Sequence, residues 1–312
     1  MGLLSIGLTT LDIVARPIDQ LSRTERTTLI EGIACMPAGT AAGAALVAQT
    51  LGLSVQLAGA IGDDNAGLLV RAALDRAGVD TRLLQVSAEE RTSTTLLAVE
   101  SGGVRSSYHA LGAAGGLTVT DEIQDAARAA RFLHYGAVGG ARTDGGAGAD
   151  LLAEAQAAGT VTSCDLISPR STAREEVRRL LPHVDYFMPS AAEAYVLSGR
   201  DNLADAADVF LDLGAKACVI KNGAQGCYVA HGGERLTIAA HVITAIDTTS
   251  CGDSFCAGVI AGLARGQGLV EACRLGAATA ALVAQGLGTL GRLKDYEQAA
   301  EAMRMLPVAA PA

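Results

Sequence analysis

An α/β protein, with a mostly parallel β-sheet flanked by helices and a small β-sheet set apart from it, is what this sequence predicts. Three observations carry the prediction: short β-rich runs alternate with Ala-rich segments of helical spacing, the runs are apolar on both faces, and two Thr-, Ser- and Val-rich stretches break the alternation. Strands buried on both sides and separated by helices belong to a parallel sheet covered by helices on each face. With 312 residues, half of them hydrophobic, the chain has enough apolar material for a sizeable core.

The first strand is LLSIGL (3–8). Residues 10–35 show period-two stretches and read as strands outside the main sheet. A helix is expected over 40–51, a strand at SVQLAGAIG (54–62) and a helix over 66–77. Residues 92–111, TSTTLLAVESGGVRSSYHAL, resemble 10–35 in character, so the two predict a small β lid on a single domain spanning 1–312. Then come RFLHYGAV (131–138), a helix over 145–158, TVTSCDLI (160–167), DYFMPS (185–190), a helix over 203–213 and KACVIKNG (216–223). The last third is rich in Gly and Ala, with helices expected near 253–265, 269–285 and 295–305 and a frayed tail, LPVAAPA.

The formal charge is -9 and the basic residues are scattered, which argues against a nucleic-acid or anionic-membrane surface and favours small-molecule chemistry. Seven cysteines form no CxxC pair and lie mostly in apolar runs, as reduced core residues do. No basic leader with a cleavage site begins the sequence and no apolar stretch reaches membrane-spanning length, so a cytoplasmic protein is expected. A lone lid sheet leaves one apolar face open, which predicts a homodimer that pairs the lids.

The stretch DTTSCGDSF (247–255) places Gly252 and Asp253 directly before an apolar helical run. An ordinary N-cap accounts for the carboxylate alone. The run of small residues before it accounts for more: a helix start with open amides is an anion site. A phosphoryl group held there would leave Asp253 free to take the proton of an attacking hydroxyl.

DTTSCGDSFCAGVIAGL resembles the carboxy-terminal signature of the ribokinase-like (PfkB) carbohydrate kinases, D-T-x-G-A-G-D-x-F-x-A-G. GAIGDDNAG (59–67), MPSAAEAYVLSG (188–199) and KNGAQGCYV (221–229) resemble three further motifs of that family, in the same order along essentially the whole chain. The resemblance implies a Rossmann-like, ribokinase-like fold and ATP-dependent phosphorylation of an alcohol on a sugar or sugar-like substrate. It implies Asp253 as base, with the amides of Ser250, Cys251 and Gly252 as the anion hole. Asp12, Gly39, Thr40, Gly43 and His109 correspond to the substrate side; Lys221, Gly223, Gly226, Thr248 and Ala277 to the nucleotide side. Glu193 corresponds to the residue that positions Mg²⁺ through water, and Asp247 to a monovalent-cation site found in part of the family, with K⁺ the ion in question.

The departures bear on substrate. The family's G-G-x-x-x-N reads AGTAAG here, so Ala38 replaces a glycine and Gly43 an asparagine, which predicts a lost hydroxyl partner and a small open space. Ser250 and Cys251 stand in the usual G-A, Ser190 replaces a metal-side asparagine, and Ala277 stands where asparagine is frequent. A nucleoside or vitamin-alcohol kinase, and a non-catalytic ligand sensor of the same fold, are the alternatives. Other signals are weaker. GLGTLG (286–291) follows a helix instead of a strand, no P-loop motif exists, and the histidines lack metal spacing. Asp63 and Asp64 read as helix caps, and Cys251 as a reactive bystander at a helix start.

Overall fold

The computed structural model describes residues 2–20, 24–167 and 173–309. The chain begins with β1 (Leu3–Gly7), β2 (Thr10–Arg16), β3 (Gly32–Ala38) and α1 (Ala42–Thr50). It continues through β4 (Val55–Gly62), α2 (Asn65–Ala77), β5 (Asp80–Ser87), β6 (Thr94–Val99), β7 (Arg105–Ala110) and α3 (Asp121–Ala129). Next come β8 (Phe132–Gly136), α4 (Ala147–Ala157), β9 (Val161–Cys164), α5 (Ala173–Leu180), β10 (Tyr186–Phe187), α6 (Ala191–Ser198) and α7 (Leu203–Asp212). The last elements are β11 (Ala217–Lys221), β12 (Cys227–His231), β13 (Glu234–Ile238), α8 (Cys251–Ala264), α9 (Leu269–Ala284) and α10 (Tyr296–Met305).

Nine strands form the main sheet in the order β13-β12-β11-β10-β9-β8-β1-β4-β5. Pairing is parallel from β5 to β11 and antiparallel for the hairpin strands β12 and β13 at the edge. Side chains on a strand alternate between faces, and β1 shows it: Leu4 and Ile6 enter a core cluster shared with α3, α4, α5 and α7, whereas Leu3 enters one shared with α1, α2, α8, α9 and α10. Helices therefore cover both faces, as the apolar strands require. Among the described residues no helix is long and apolar enough to cross a membrane.

The second sheet has the order β3-β2-β6-β7, with β2 and β6 parallel and the outer pairs antiparallel. It is the accessory sheet expected from 10–35 and 92–111, extended to Ala38; residues 21–23 of the expected span lie outside the described residues. Its inward side packs Val14, Leu97 and Val99 against Leu287 and Met36.

One expectation is corrected. The tail is not frayed as far as residue 309: the Val242 amide donates to Pro307 O and the Ala309 amide to Ala240 O, each at 2.8 Å. The remainder, 310–312, lies outside the described residues. Two short charged helices outside the sequence-based expectations, α3 and α5, are also present, with Thr120 accepting from the Ile123 amide at the start of α3.

The helix pair α8 and α9 holds the carboxy-terminal motif in place. A Cβ on Gly258 would lie 2.7 Å from Gly276 Cα, and one on Gly276 would lie 2.8 Å from Phe255 O. The two backbones touch, and only glycine at both positions permits that approach.

Candidate active site

The turn before α8 is anchored from below. Asp247 is buried, and its carboxylate accepts from the Thr249 amide (2.9 Å), the Thr249 hydroxyl (2.6 Å) and the Gly288 amide (2.8 Å). The chain then reverses at Ser250, whose φ of +54° makes it the single non-glycine residue with positive φ among the described residues. Cys251, Gly252 and Asp253 follow as the first turn of α8. Amides in a first helical turn have no carbonyl of their own helix to bond, and the helix dipole makes that end partially positive.

Asp253 sets a carboxylate beside those amides. The Ser250 hydroxyl donates to it. Gly43 of α1 lies against its other side, so close that a Cβ at 43 would come within 2.9 Å of Asp253 Oδ2 and 3.3 Å of Cγ. Burial, with Asp165 close by, pushes the Asp253 pKa from 3.8 up to about 7, while Lys221 and the Ser250 hydroxyl pull the other way. A carboxyl tuned there is available both to hold and to take a proton near neutrality.

Sequence reasoning missed Asp165. It stands one residue past β9, where ligands of an open parallel sheet gather, and that position was the available signal. Its Oδ2 accepts from Lys221 Nζ at 2.5 Å and from the Cys256 thiol at 3.3 Å, and its Oδ1 accepts from the Leu166 amide at 2.8 Å. Lys221 was expected on the nucleotide side with Gly223 and Gly226; its ammonium is bonded to Asp165 and lies 3.4 Å from where a Cβ on Gly252 would be. Burial works against the Lys221 charge, but Asp165, with Cys256 and Glu193, holds its pKa above the ordinary value.

The lid supplies a row of polar side chains in cross-strand register: Asp12 on β2, Thr95 on β6 and His109 on β7. Asp12 is buried, and burial raises its pKa against hydrogen bonds from Thr95 and Thr10. His109 Nδ1 lies 3.0 Å from Thr95 Oγ1. Asp12 is near enough to Asp253 to raise its pKa, so the Asp12 face of the lid is turned toward the helix start. Arg105, also on β7, donates from Nη1 to Thr249 Oγ1 at 2.9 Å, tying the lid to the same turn.

Other expected residues fall differently. Thr40 is buried and its hydroxyl donates to Gly136 O at 2.6 Å, so it serves the fold and offers no free hydroxyl to substrate. Gly39 has φ +94°, and a Cβ there would be 2.6 Å from Leu8 O: the glycine is required by the turn itself. Gly43 opens no space, because Asp253 and Ser250 close on it. Gly223 and Thr248 are exposed, Gly226 is half-buried with φ +92° in the β11–β12 turn, and Ala277 is half-buried on α9. Cys251 is no reactive bystander: burial pushes its thiol pKa up to about 12, outweighing the helix start. Asp64 caps α2 by accepting from the Gly67 amide at 2.8 Å, as expected.

Glu193 belongs to a capping box that the S-x-x-E of SAAE spells out: Ser190 Oγ accepts from the Glu193 amide, and Glu193 Oε2 accepts from the Ser190 amide at 2.7 Å. One carboxylate oxygen remains, beside Asp165 and Lys221, and burial raises the Glu193 pKa. Among the described residues no three His, Cys, Asp or Glu side chains converge on a point that could hold an ion. The remaining Glu193 oxygen is a single hard donor of the kind Mg²⁺ accepts, since that ion keeps most of its waters and takes one or two carboxylates.

A large, mostly parallel sheet between helix layers, with a small lid sheet facing an amide-rich helix start, is the ribokinase-like α/β fold. The chain matches the family model described as "pfkB family carbohydrate kinase" over residues 2–294 and belongs to that family, whose members are ATP-dependent phosphotransferases acting on alcohol groups. It is 28% identical to the ribokinase of Haemophilus influenzae over 78% of this chain and 79% of that protein. It is 26% identical to a nucleoside kinase of Methanothermobacter thermautotrophicus over 95% of this chain and 94% of the other. Among solved structures it is similar to an E. coli candidate ribokinase II in complex with ATP and Mg²⁺, with TM-score 0.84, 22% identity and coverage of 97% and 99%.

Proposed function

We propose that this chain transfers the γ-phosphoryl group of ATP to a hydroxyl of a sugar or sugar-like alcohol, with Asp253 as the base. The observation that carries the reading is the Asp253 carboxylate, set at the amide-rich start of α8 and tuned to about 7. Asp12 accepts from substrate hydroxyls across the site, and His109 supplies a second polar contact from the lid. As the substrate oxygen attacks the γ-phosphorus, its proton passes to Asp253, the new O–P bond forms and the bond to ADP breaks. The amides of Ser250, Cys251 and Gly252 bond the oxygens of the group in flight. Glu193 would help to hold a Mg²⁺ ion, which would supply charge neutralisation at the phosphates. Gly223, Gly226, Thr248 and Ala277 border the nucleotide. A K⁺ ion beside Asp247 would neutralise its buried charge.

The outward row of the lid supports assembly as a homodimer: Ile33, Leu96 and Tyr108 are 66%, 45% and 53% exposed, more apolar surface than a lone sheet usually leaves open. The free cysteines and the acidic surface suit work in the cytoplasm on a small molecule. Likeness to a nucleoside kinase over nearly the whole length supports a second reading, in which the alcohol is a nucleoside ribose hydroxyl.

ADP release over a panel of sugars, polyols, deoxy and modified sugars, and nucleosides tests the proposal. Gly43 brings no side-chain amide to the substrate, and each missing hydrogen bond to a buried hydroxyl costs ~0.5–1.5 kcal/mol. Ribose and fructose are therefore expected to be poor substrates beside a deoxy or modified sugar. Ribose or fructose as the best substrate would overturn the specificity argument, and no ADP release with any alcohol would overturn the kinase reading.

A further inference from the structure

We infer that Lys221 is a catalytic residue that meets the transferring phosphoryl group, held in place by Asp165 and Cys256. The inference rests on the proposed kinase reading and deepens it, because it moves Lys221 from the border of the nucleotide to the reacting group.

Topology first brings the residues together. Lys221 ends β11 and Asp165 follows β9, with the two-residue strand β10 between them in the sheet. Past the end of β10 the chain runs on between them, with Ser190 opposite Lys221, and the Lys221 ammonium reaches Asp165 there; both side chains are nearly sealed, 12% and 2% exposed. An ammonium has three N–H donors. One goes to Asp165 Oδ2 at 2.5 Å and a weaker one to Cys256 Sγ at 3.6 Å. Cys256 in turn donates its own proton to Asp165, so the latch has three members and leaves the ammonium one donor to spend.

Gly252 shows where that donor is directed. Its φ is not positive, so the backbone does not demand glycine there. The atoms a Cβ at 252 would meet within 4 Å are Lys221 Nζ at 3.4 Å and Lys221 Cε at 3.8 Å. A bare Gly252 thus leaves the ammonium uncovered on the side of the open amides of α8, where the anion is proposed to sit.

The charge balance gives the ammonium something to do. Asp12, Asp165, Glu193 and Asp253 all lie close enough to influence one another through Lys221 or directly. A triphosphate entering so acidic a site needs a fixed cation near the oxygens that gain charge, and a pre-positioned one in a water-poor site acts without reorganising. Lys221 can fill that role; Arg105 lies on the exposed lid strand and is bonded to Thr249. Asp165 is a positioning residue: it holds the ammonium and does not itself reach the phosphate.

The test compares Lys221→Met, the double variant Lys221→Met with Asp165→Asn, and Asp253→Asn. Each is assayed for kcat with the best alcohol of the panel and for Mg²⁺-dependent binding of ADP and of a β,γ-imido ATP analogue by calorimetry. Loss of a preorganised charge contact predicts a fall in kcat of at least ~10²-fold for Lys221→Met, with the ADP dissociation constant within about threefold of wild type and the preference for the ATP analogue lost. The double variant removes both buried charges together, so it decides the matter if the single one leaves Asp165 unpaired and fails to fold. A kcat within about threefold of wild type, or a loss matched by an equal loss of ADP affinity, overturns the inference. Should wild type release no ADP with any alcohol, the kinase reading falls separately, and the ATP-analogue preference alone decides Lys221: lost on substitution it stands, retained it is refuted.

Discussion

Asp253→Asn should make the protein slower and more stable at once. In the unfolded chain this carboxyl ionises near its ordinary value of 3.8, whereas in the fold it keeps its proton until about 7. Between those two values the unfolded state has released a proton that the folded state still holds. Stability therefore falls as pH rises through that window and stays lower above it. Each pH unit of the window is worth ~1.36 kcal/mol, so the ionised carboxylate costs the fold up to about 4 kcal/mol. Asp253 is half-buried at the helix start and not sealed, and solvent screening reduces the figure to roughly 2–4 kcal/mol. Asparagine has nothing to ionise, and its carbonyl oxygen still accepts from Ser250. At about pH 8 the variant should melt several degrees above wild type, at ~2–4 °C per kcal/mol for a chain near this size, and at about pH 4 the two should coincide. The same change should lower kcat at least ~10²-fold, and wild-type kcat/KM should fall with unit slope below about pH 7 as the base is protonated. Calorimetric melting across that range, paired with steady-state ADP release, measures both. An asparagine variant less stable than wild type at about pH 8, or wild-type activity flat from about pH 5.5 to about pH 8.5, would refute the reasoning.

Gly43→Ala would put a Cβ 2.9 Å from Asp253 Oδ2 and force the carboxylate to shift. Since small misplacements of a reacting group are costly, kcat should drop ~10-fold or more with little change in melting temperature, and an unaltered kcat would count against the packing argument. Ser250→Gly removes a left-handed backbone strain of ~1–2 kcal/mol and the hydroxyl that lowers the Asp253 pKa. The variant should be as stable as wild type or more so, and its acid activity limb should move to higher pH in a pH–rate profile; a shift to lower pH would contradict the assigned bond. Leu96→Lys on the outward lid face should give monomers by sedimentation at micromolar concentration where wild type is dimeric, and a monomeric wild type would dismiss the lid pairing.

Much of the fold was legible because its signals are local. The strands of a parallel sheet are apolar throughout, and the runs at 3–8, 54–62, 131–138, 160–167 and 216–223 all became sheet strands. The elements that went unlisted, such as α3 and α5, draw on caps and charge patterning more than on apolar runs. The site divides in the same way. Asp253, Asp12 and His109 are marked by their own neighbours in sequence; in the structure Asp12 is near enough to Asp253 to raise its pKa, and His109 lies 3.0 Å from Thr95, the register partner of Asp12. The pairing of Lys221 with Asp165 joins residues 56 apart and depends on the ends of β9 and β11 being brought level across the sheet. No pattern in either segment announces it.

Gly43 shows why reading one position at a time goes astray. Beside the resembling family, an asparagine is missing at 43 and a serine stands at 250 where glycine is usual, which looks like two unrelated departures. In the fold they meet: Ser250 Oγ lies 3.3 Å from where a Cβ at 43 would be, and both residues touch the Asp253 carboxylate. What the carboxylate requires is a polar neighbour and a filled volume, whichever segment supplies them. A missing side chain on α1 is met by a hydroxyl on the turn before α8, placed there at the expense of a strained φ. On the proposed kinase reading, the same exchange keeps a hydroxyl beside Asp253 while withdrawing an amide from the alcohol, so the base and the choice of alcohol would vary independently.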